Sequence, residues 1–228
     1  MKIAIIPARQ GNKRIKGKNI KNFLGKPIIS YPIKEALNSK LFDYVIVSTD
    51  SSKIKKISEK YGAKVFFKRP NKLSTDIANT HEVIIHSLNW FKKININFNY
   101  ICCIYPTATM IKSHDLKNSY KLINNDKWSF VMSAQKYSTQ IERSFKLSNQ
   151  KIVLIDKKKF IKNSQNFQDF YHDAGQFYWG NAKSWYSKNT ILDNKSTIYE
   201  LKKYQAVDIN TLDDWKWAEK LYKINFLK

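Results

Sequence analysis

One stretch near the start of the chain carries more chemistry than any other. Ala8-Arg9-Gln10-Gly11-Asn12-Lys13-Arg14-Ile15-Lys16-Gly17-Lys18-Asn19 combines two glycines with a cluster of Arg and Lys side chains, directly after a short apolar run. Successive backbone N–H groups in such a loop can form a nest for phosphate oxygens, and the cations neutralise the charge that arrives with them. The stretch is neither G-x-G-x-x-G nor the G-K-[ST] ending of a Walker A loop, so two standard nucleotide fingerprints are absent. A solvated basic loop is the other reading of the same residues; its place immediately after a first strand is what favours phosphate. Thiol chemistry has less to stand on. Cys102 and Cys103 are adjacent, and neighbours on a strand point to opposite faces, so a disulfide between them is strained and no metal-ligand spacing exists. They read as buried thiols in a reducing compartment.

Apolar periodicity outlines the elements that must hold that loop. Residues 2–7 form a buried first strand, 28–37 a helix and 44–48 a second strand. Asp50 and Ser51 offer a cap for a helix running to Lys60 and stopped by Gly62. A third strand is expected over 64–68 and a helix over 80–91, with Val83, Ile84 and Leu88 on one face. A fourth strand (100–105), a helix (113–124) and a fifth strand (129–134) follow. This alternation predicts an α/β fold, a parallel or mostly parallel sheet with helices on both faces. From 135 to 170 the pattern weakens, which reads as an inserted arm on a single domain spanning 1–228. It resumes at Gln176-Phe177-Tyr178-Trp179 and over 197–202, and ends in a helix from about Thr211. There Thr211 and Asp214 have capping-box spacing. Ligands of open α/β sheets bind at the carboxyl ends of the strands, so the residues just after Pro7, Ser48, Lys68, Ile104 and Val207 are the ones to ask about.

Composition bounds the alternatives. With 228 residues, 43% hydrophobic and 14% aromatic, the chain can bury a sizeable core, and 6 glycines and 5 prolines are too few for a disordered or collagenous chain. No apolar run approaches the roughly 20 residues of a membrane helix. Ile3-Ala4-Ile5-Ile6 is too short for a signal-peptide core, so a cytoplasmic protein beginning at Met1 is expected. The net charge of +23 invites a nucleic-acid-binding module, which would bind tightly and with steep salt dependence. Of 41 basic residues, however, only Arg9, Arg14, Arg69 and Arg143 are arginine, the residue that base readout favours. The lysines are scattered over almost every predicted surface face, and Asn and Ile are abundant as well, as A/T-rich codons would produce. The charge is therefore read as composition that also helps capture polyanionic small molecules, with no nucleic-acid or membrane partner.

IPARQGNKRI-KGKN resembles the motif I/L-P-A-R-x-x-S-K-x-[IL]-x-x-K-N of the cytidylyltransferases that activate nonulosonic acids. VIVSTD (Val45–Asp50), RPNKLSTD (Arg69–Asp76), PTAT (Pro106–Thr109) and VDINTLDDW (Val207–Trp215) match that family in the same order and at similar spacing. YICCIYPTA and YHDAGQFYWG (Tyr171–Gly180) resemble its pseudaminic acid branch more than the sialic acid synthetases. The resemblance covers essentially the whole chain. It implies a Rossmann-like nucleotide-diphosphosugar transferase fold with a small dimerisation arm, and transfer of CMP from CTP to the anomeric hydroxyl of a nine-carbon α-keto acid sugar, pseudaminic acid, with release of pyrophosphate. The product would serve bacterial surface glycans; N-acetylneuraminic or legionaminic acid is the alternative substrate.

By the same resemblance Arg9, Gly11, Lys13, Lys18 and Asn19 would hold the triphosphate, and Arg69 would contact nucleotide phosphates or order the loop after it. Asp76, Thr80 and Tyr105 would approach the nucleotide; Asp50 is either a ligand or a cap for the next helix. Arg9, Lys18 and Asp208 carry the catalytic role, since a departing pyrophosphate needs positive charge and fixed donors more than covalent catalysis. Mg²⁺ is the expected cofactor, an ion that takes one or two carboxylates beside water and phosphate oxygens. Where the family has D-x-D this chain has Asp208-Ile209-Asn210, and strand alternation would place both side chains on one face, so by the resemblance Asp208 and Asn210 are the expected Mg²⁺ ligands, Asn210 through its uncharged amide oxygen. His172, Asp173, Gly175, Gln176 and Tyr178 are the candidates for the sugar, with His172 either structural or a general base. A homodimer is implied, its arm reaching toward the partner's site. Asn210 and Gln10, where relatives often carry Asp and Gly, leave a member that no longer catalyses as a third reading.

Overall fold

Ile3, Ala4, Ile5 and Ile6 have no solvent exposure, which only a strand covered on both faces allows. They lie in β1 (Lys2–Pro7), inside a six-stranded sheet, in a computed structural model that describes residues 1–125, 127–161, 167–187 and 191–227. A small hairpin follows, β2 (Asn22–Phe23) and β3 (Lys26–Pro27), then α1 (Ser30–Asn38), β4 (Tyr44–Ser48), α2 (Ser52–Lys60) and α3 (Thr80–Lys93). Next come β5 (Tyr100–Ile104), α4 (Ser113–Ile123) and β6 (Phe130–Lys136), then the excursion β7 (Phe145–Ser148), β8 (Lys151–Leu154) and α5 (Lys157–Phe160). The chain returns through β9 (Tyr171–Asn181), α6 (Ala182–Tyr186) and β10 (Ser196–Glu200) to a last helix, α7 (Leu212–Phe226).

The central sheet runs β10-β6-β9-β5-β1-β4, and every pairing is parallel except those of β9, which is antiparallel to β5 and β6. Strand alternation sorts its side chains into two layers. Ile3, Ile5 and Cys103 pack with Ile84, Leu88 and Phe91 of α3; Ala4, Ile6 and Cys102 pack with Ile33 of α1, Ile54 of α2 and Leu116 of α4. This is the expected α/β architecture with helices on both faces. The two cysteines are free and back opposite layers. A third, smaller core gathers Ile15, Phe23, Ile28, Met110, Ile209 and Trp215, and it clamps the basic loop against the start of α7.

Side chains cap several helix starts, at α2 and α7 with Ser51 and Thr211–Asp214 as expected. Ser51 caps α2 by accepting from the Ile54 N–H, Asn79 and Glu82 form a capping box on α3, and Thr211 and Asp214 form one on α7. Three expectations are corrected. Residues 64–68 do not form a strand: only Lys64 and Lys68 bridge to β4, at Ile46 and Thr49. The residues between leave the ladder because Phe66 stacks on Trp90 and Phe67 packs edge-on against His86. Asp50 does not cap α2; its Oδ1 accepts from the Gln10 N–H at 2.9 Å. Residues 207–210 are irregular rather than a strand, although the Asp208 and Asn210 side chains do meet. The expected arm, 135–170, corresponds to residues 137–170 leaving the sheet between β6 and β9, with 162–166 outside the described residues.

Candidate active site

The basic loop closes on itself before it reaches anything else. The Arg9 carbonyl accepts from Asn12 Nδ2 at 3.2 Å and from Asn19 Nδ2 at 2.9 Å, and Asn19 is buried. Gly17 takes φ +64°, a conformation glycine adopts without penalty, to turn the chain into the Lys18–Ile20 helical turn. Asp50, at the end of β4, fixes the loop's other side through Gln10. Lys18 Nζ donates to the Ile209 carbonyl at 2.7 Å, which ties the loop to the segment before α7. Burial lowers the Lys18 pKa, opposed by the nearby Asp208 carboxylate and reinforced by Arg14 and Arg9.

Arg69 is 3% exposed and serves the scaffold. Its guanidinium donates to Ser48 Oγ at 3.2 Å, to the Ser48 carbonyl, and to the Leu73 carbonyl at 3.5 Å. Of the two roles expected for it, this geometry is that of ordering the following loop. Burial pulls its pKa down to about 10, against the stabilising charge of Asp50, so it remains a cation at neutral pH. That loop delivers Asp76, which pairs with Arg9 and, at 2.8 Å, with Lys13 Nζ. Lys13 first and Arg9 second hold the Asp76 carboxyl below its ordinary pKa. Across the cleft the Thr80 and Tyr105 hydroxyls lie 3.1 Å apart, and burial raises the Tyr105 pKa to about 12.

Three cavities share Arg9, Asn12 and Asp76 as walls. A cleft of about 200 Å³ is lined by Lys18, Asn19, Arg69, Thr80 and Tyr105 as well, and one of about 450 Å³ by Lys13, Arg14, Lys18 and Asn210. The largest, about 760 Å³, lies against the outer side of the loop beside Ser51 and Lys53. Size does not decide between them. The two smaller ones draw their walls from four separate parts of the chain, converging at the carboxyl ends of β1 and β5, and that convergence can grip one ligand from several sides. Cations outnumber carboxylates there, so the cleft suits a polyanion. Gly11 lines the outer cavity.

The expected sugar-binding segment lies in β9. Between Met132 and Ala134 the β6–β9 register shifts, and Gly175, at φ +59°, makes the bulge. Asp173 spans it: one oxygen accepts from the Gly175 N–H at 2.7 Å, the other from the Tyr178 hydroxyl at 2.5 Å. The Tyr178 ring meets Tyr105 edge-on at 5.6 Å, which carries the bulge to the cleft. Gln176 is 1% exposed with its amide turned to the Ala174 carbonyl, and His172 packs against Tyr137 at the root of the arm. Asp173 and Tyr178 are thus brought to the cleft's rim, Gln176 beneath it, and His172 away from it.

Two contributors have no expected role. Asn12 braces the loop, and Arg14 Nη1 donates to Asn210 Oδ1 at 2.7 Å. Their only signal in the sequence is membership of the loop. Asn210 Nδ2 donates in turn to Asp208 Oδ2 at 2.6 Å. Among the described residues no three His, Cys, Asp or Glu side chains group as a metal cage. No helix among them is long and apolar enough to cross a membrane.

This chain is similar to known proteins along its whole length. It is 38% identical over 224 residues to the pseudaminic acid cytidylyltransferase of Campylobacter jejuni, covering 98% of this chain and 97% of that one. It is 29% identical over 231 residues to the CMP-N,N'-diacetyllegionaminic acid synthase of Legionella pneumophila, with 98% and 97% covered. A solved CMP:2-keto-3-deoxy-manno-octonic acid synthetase complexed with CTP superimposes with a TM-score of 0.72 at 14% identity over 99% of both chains, a likeness of fold. The family profile described as cytidylyltransferase matches residues 3–227, and the chain belongs to the cytidylyltransferase family.

Proposed function

We propose that this enzyme transfers CMP from CTP to the anomeric hydroxyl of pseudaminic acid, releasing pyrophosphate and making CMP-pseudaminic acid for bacterial surface glycans. The observation that carries the substrate is the 38% identity to a pseudaminic acid cytidylyltransferase over 98% of the chain. In the reaction the sugar hydroxyl oxygen forms a bond to the α-phosphorus, the bond from that phosphorus to the pyrophosphate oxygen breaks, and the hydroxyl proton passes to solvent water. Charge accumulates on the departing pyrophosphate, and catalysis consists of placing fixed positive charge there. Arg9, Lys13 and Lys18 supply it. Arg69, Asp76, Thr80 and Tyr105 shape the cleft for the nucleoside, and the Tyr178–Asp173 bulge faces the sugar.

A magnesium ion fits this donor set. Asp208 is an exposed carboxylate beside Lys18 with one oxygen committed to Asn210, and Mg²⁺ takes its other ligands from phosphates and water. When bound it would supply further positive charge to the phosphates. The enzyme is proposed to act in the cytoplasm as a homodimer, joined through the arm of residues 137–170. Pyrophosphate release with CTP and Mg²⁺, measured separately with pseudaminic, legionaminic and N-acetylneuraminic acids, tests the reading. Turnover with pseudaminic acid alone is expected. Preference for another of the three discards the sugar and keeps the nucleotide site, and silence with all three overturns the activity.

A further inference from the structure

The hydrogen bonds of the Asp208 and Asn210 pair fix what Asn210 can do. A guanidinium only donates and an ionised carboxylate only accepts. An amide lying between Arg14 Nη1, at 2.7 Å, and Asp208 Oδ2, at 2.6 Å, therefore has a single orientation that satisfies both: oxygen to Arg14, NH₂ to Asp208. The backbone beneath it is equally fixed, since the Asn210 N–H donates to Asp214 Oδ2 at 2.9 Å and the same oxygen accepts from Thr211. For the Asn210 oxygen to join Asp208 on an ion, the amide must turn over. Its NH₂ would then face the Arg14 guanidinium, donor against donor, with the arginine charge beside the ion.

We propose that Asn210 is a positioning residue and not a metal ligand: it links Arg14 to Asp208, so that the site offers a divalent ion one carboxylate and holds Arg14 at the phosphate cleft in place of a second ion. Arg14 and Asn210 both line the cavity that Arg9, Lys13 and Lys18 share, so the arginine is placed to add charge at the phosphates. This inference rests on the nucleotidyl-transfer reading for the identity of the anion, but the Arg14–Asn210–Asp208 chain stands in the free protein.

The test uses the full-length protein and reads binding. The Asn210 side-chain amide resonance is identified by its absence from the ¹⁵N spectrum of Asn210→Ser. On addition of Mg²⁺ and CTP its protons are expected to stay slow to exchange with solvent, because both of its hydrogen bonds persist, and electron paramagnetic resonance with Mn²⁺ is expected to count one ion per CTP-loaded chain. Asn210→Asp alone is expected to change Mn²⁺ affinity less than about threefold, because Arg14 pairs with the new carboxylate. Combined with Arg14→Met it is expected to tighten Mn²⁺ at least tenfold. Fast solvent exchange of that amide in the loaded protein, two ions per wild-type chain, tenfold tightening by Asn210→Asp alone, or no tightening in the double variant would each overturn the proposal. Calorimetry of CTP binding in the presence of Mg²⁺ separates the two readings, since failure to bind CTP sinks the nucleotide site while leaving the hydrogen-bond chain of the free protein measurable.

Discussion

Lys18 is the loop cation with the least freedom: it is partly buried, tied to the Ile209 carbonyl, and held near Asp208. A fixed charge of this kind is worth most where negative charge develops, so Lys18→Ala and Arg9→Ala are each expected to lower kcat/KM for CTP by about 100-fold. Steady-state kinetics check this, and near-normal turnover in both variants would remove the loop from the mechanism. The pH dependence follows from the direction of the shift. Burial lowers the Lys18 pKa below 10.5, so its charge is lost as pH rises through that lowered value, before an unburied lysine would lose it. Between the lowered pKa and 10.5 the unfolded chain holds this proton and the folded chain does not, so rising pH favours the folded state there. Activity is therefore expected to fall on the alkaline side while the Lys18 contribution to stability does not, and Lys18→Arg, charged throughout, should move that limb to higher pH. Arg69 acts on the fold. Replacing it with Met leaves the Ser48 and Leu73 carbonyls without their buried donor, an expected loss of about 3 kcal/mol in denaturant titration, with CTP binding weakened because the loop bearing Asp76 loses its anchor.

Much at the level of elements could be read directly from residue patterns, and the failures have physical causes. Strands β1, β4 and β5 are buried on both faces and read as continuous apolar runs, and the α3 and α7 starts are written in Asn79–Glu82 and Thr211–Asp214. Residues 64–68 have the same apolar look as a strand, yet their aromatic side chains are worth more packed against α3 than the ladder bonds they forgo. A bulge leaves no pattern at all, because an extra residue exists only relative to a partner strand's register. Hence Asp173, Gly175 and Tyr178 could be singled out by resemblance, while the Asp173 bridge across the bulge could not. Gly175→Ala places a side chain at φ +59° and is expected to cost about 1–2 kcal/mol of stability. It should also raise KM for the sugar acid more than KM for CTP, since the bulge sits on the Tyr178 side of Tyr105. Equal effects on both constants would detach the bulge from the sugar site.

At the scale of the whole molecule, the segment that resisted reading is the one that joins neither of the sheet's two cores. Among the described residues β7 and β8 pair only with each other, and the face carrying Phe145, Leu147 and Ile152 is open, with Leu147 70% exposed and Ile152 64% exposed. Apolar periodicity reports burial within a chain, so a hairpin whose apolar face is largely exposed among the described residues shows only short ambiguous segments. An isolated two-stranded hairpin is marginal in water, and this one needs a surface against it. Leu147 and Ile152 stand directly opposite one another in the register, on one face. In the proposed homodimer that face is covered by the partner, which predicts that Leu147→Asp combined with Ile152→Asp converts the protein to a monomer in sedimentation equilibrium. Because neither residue touches the sheet's two cores, the thermal transition of the folded domain should shift by only a few degrees. Cys102 and Cys103, buried on opposite layers with thiols raised by that burial, should stay unreactive toward a thiol reagent until that transition in both forms. A variant that remains dimeric with its thiols still protected would place the subunit contact elsewhere on the molecule, whereas a monomer with early thiol exposure would mean that the arm braces the domain itself.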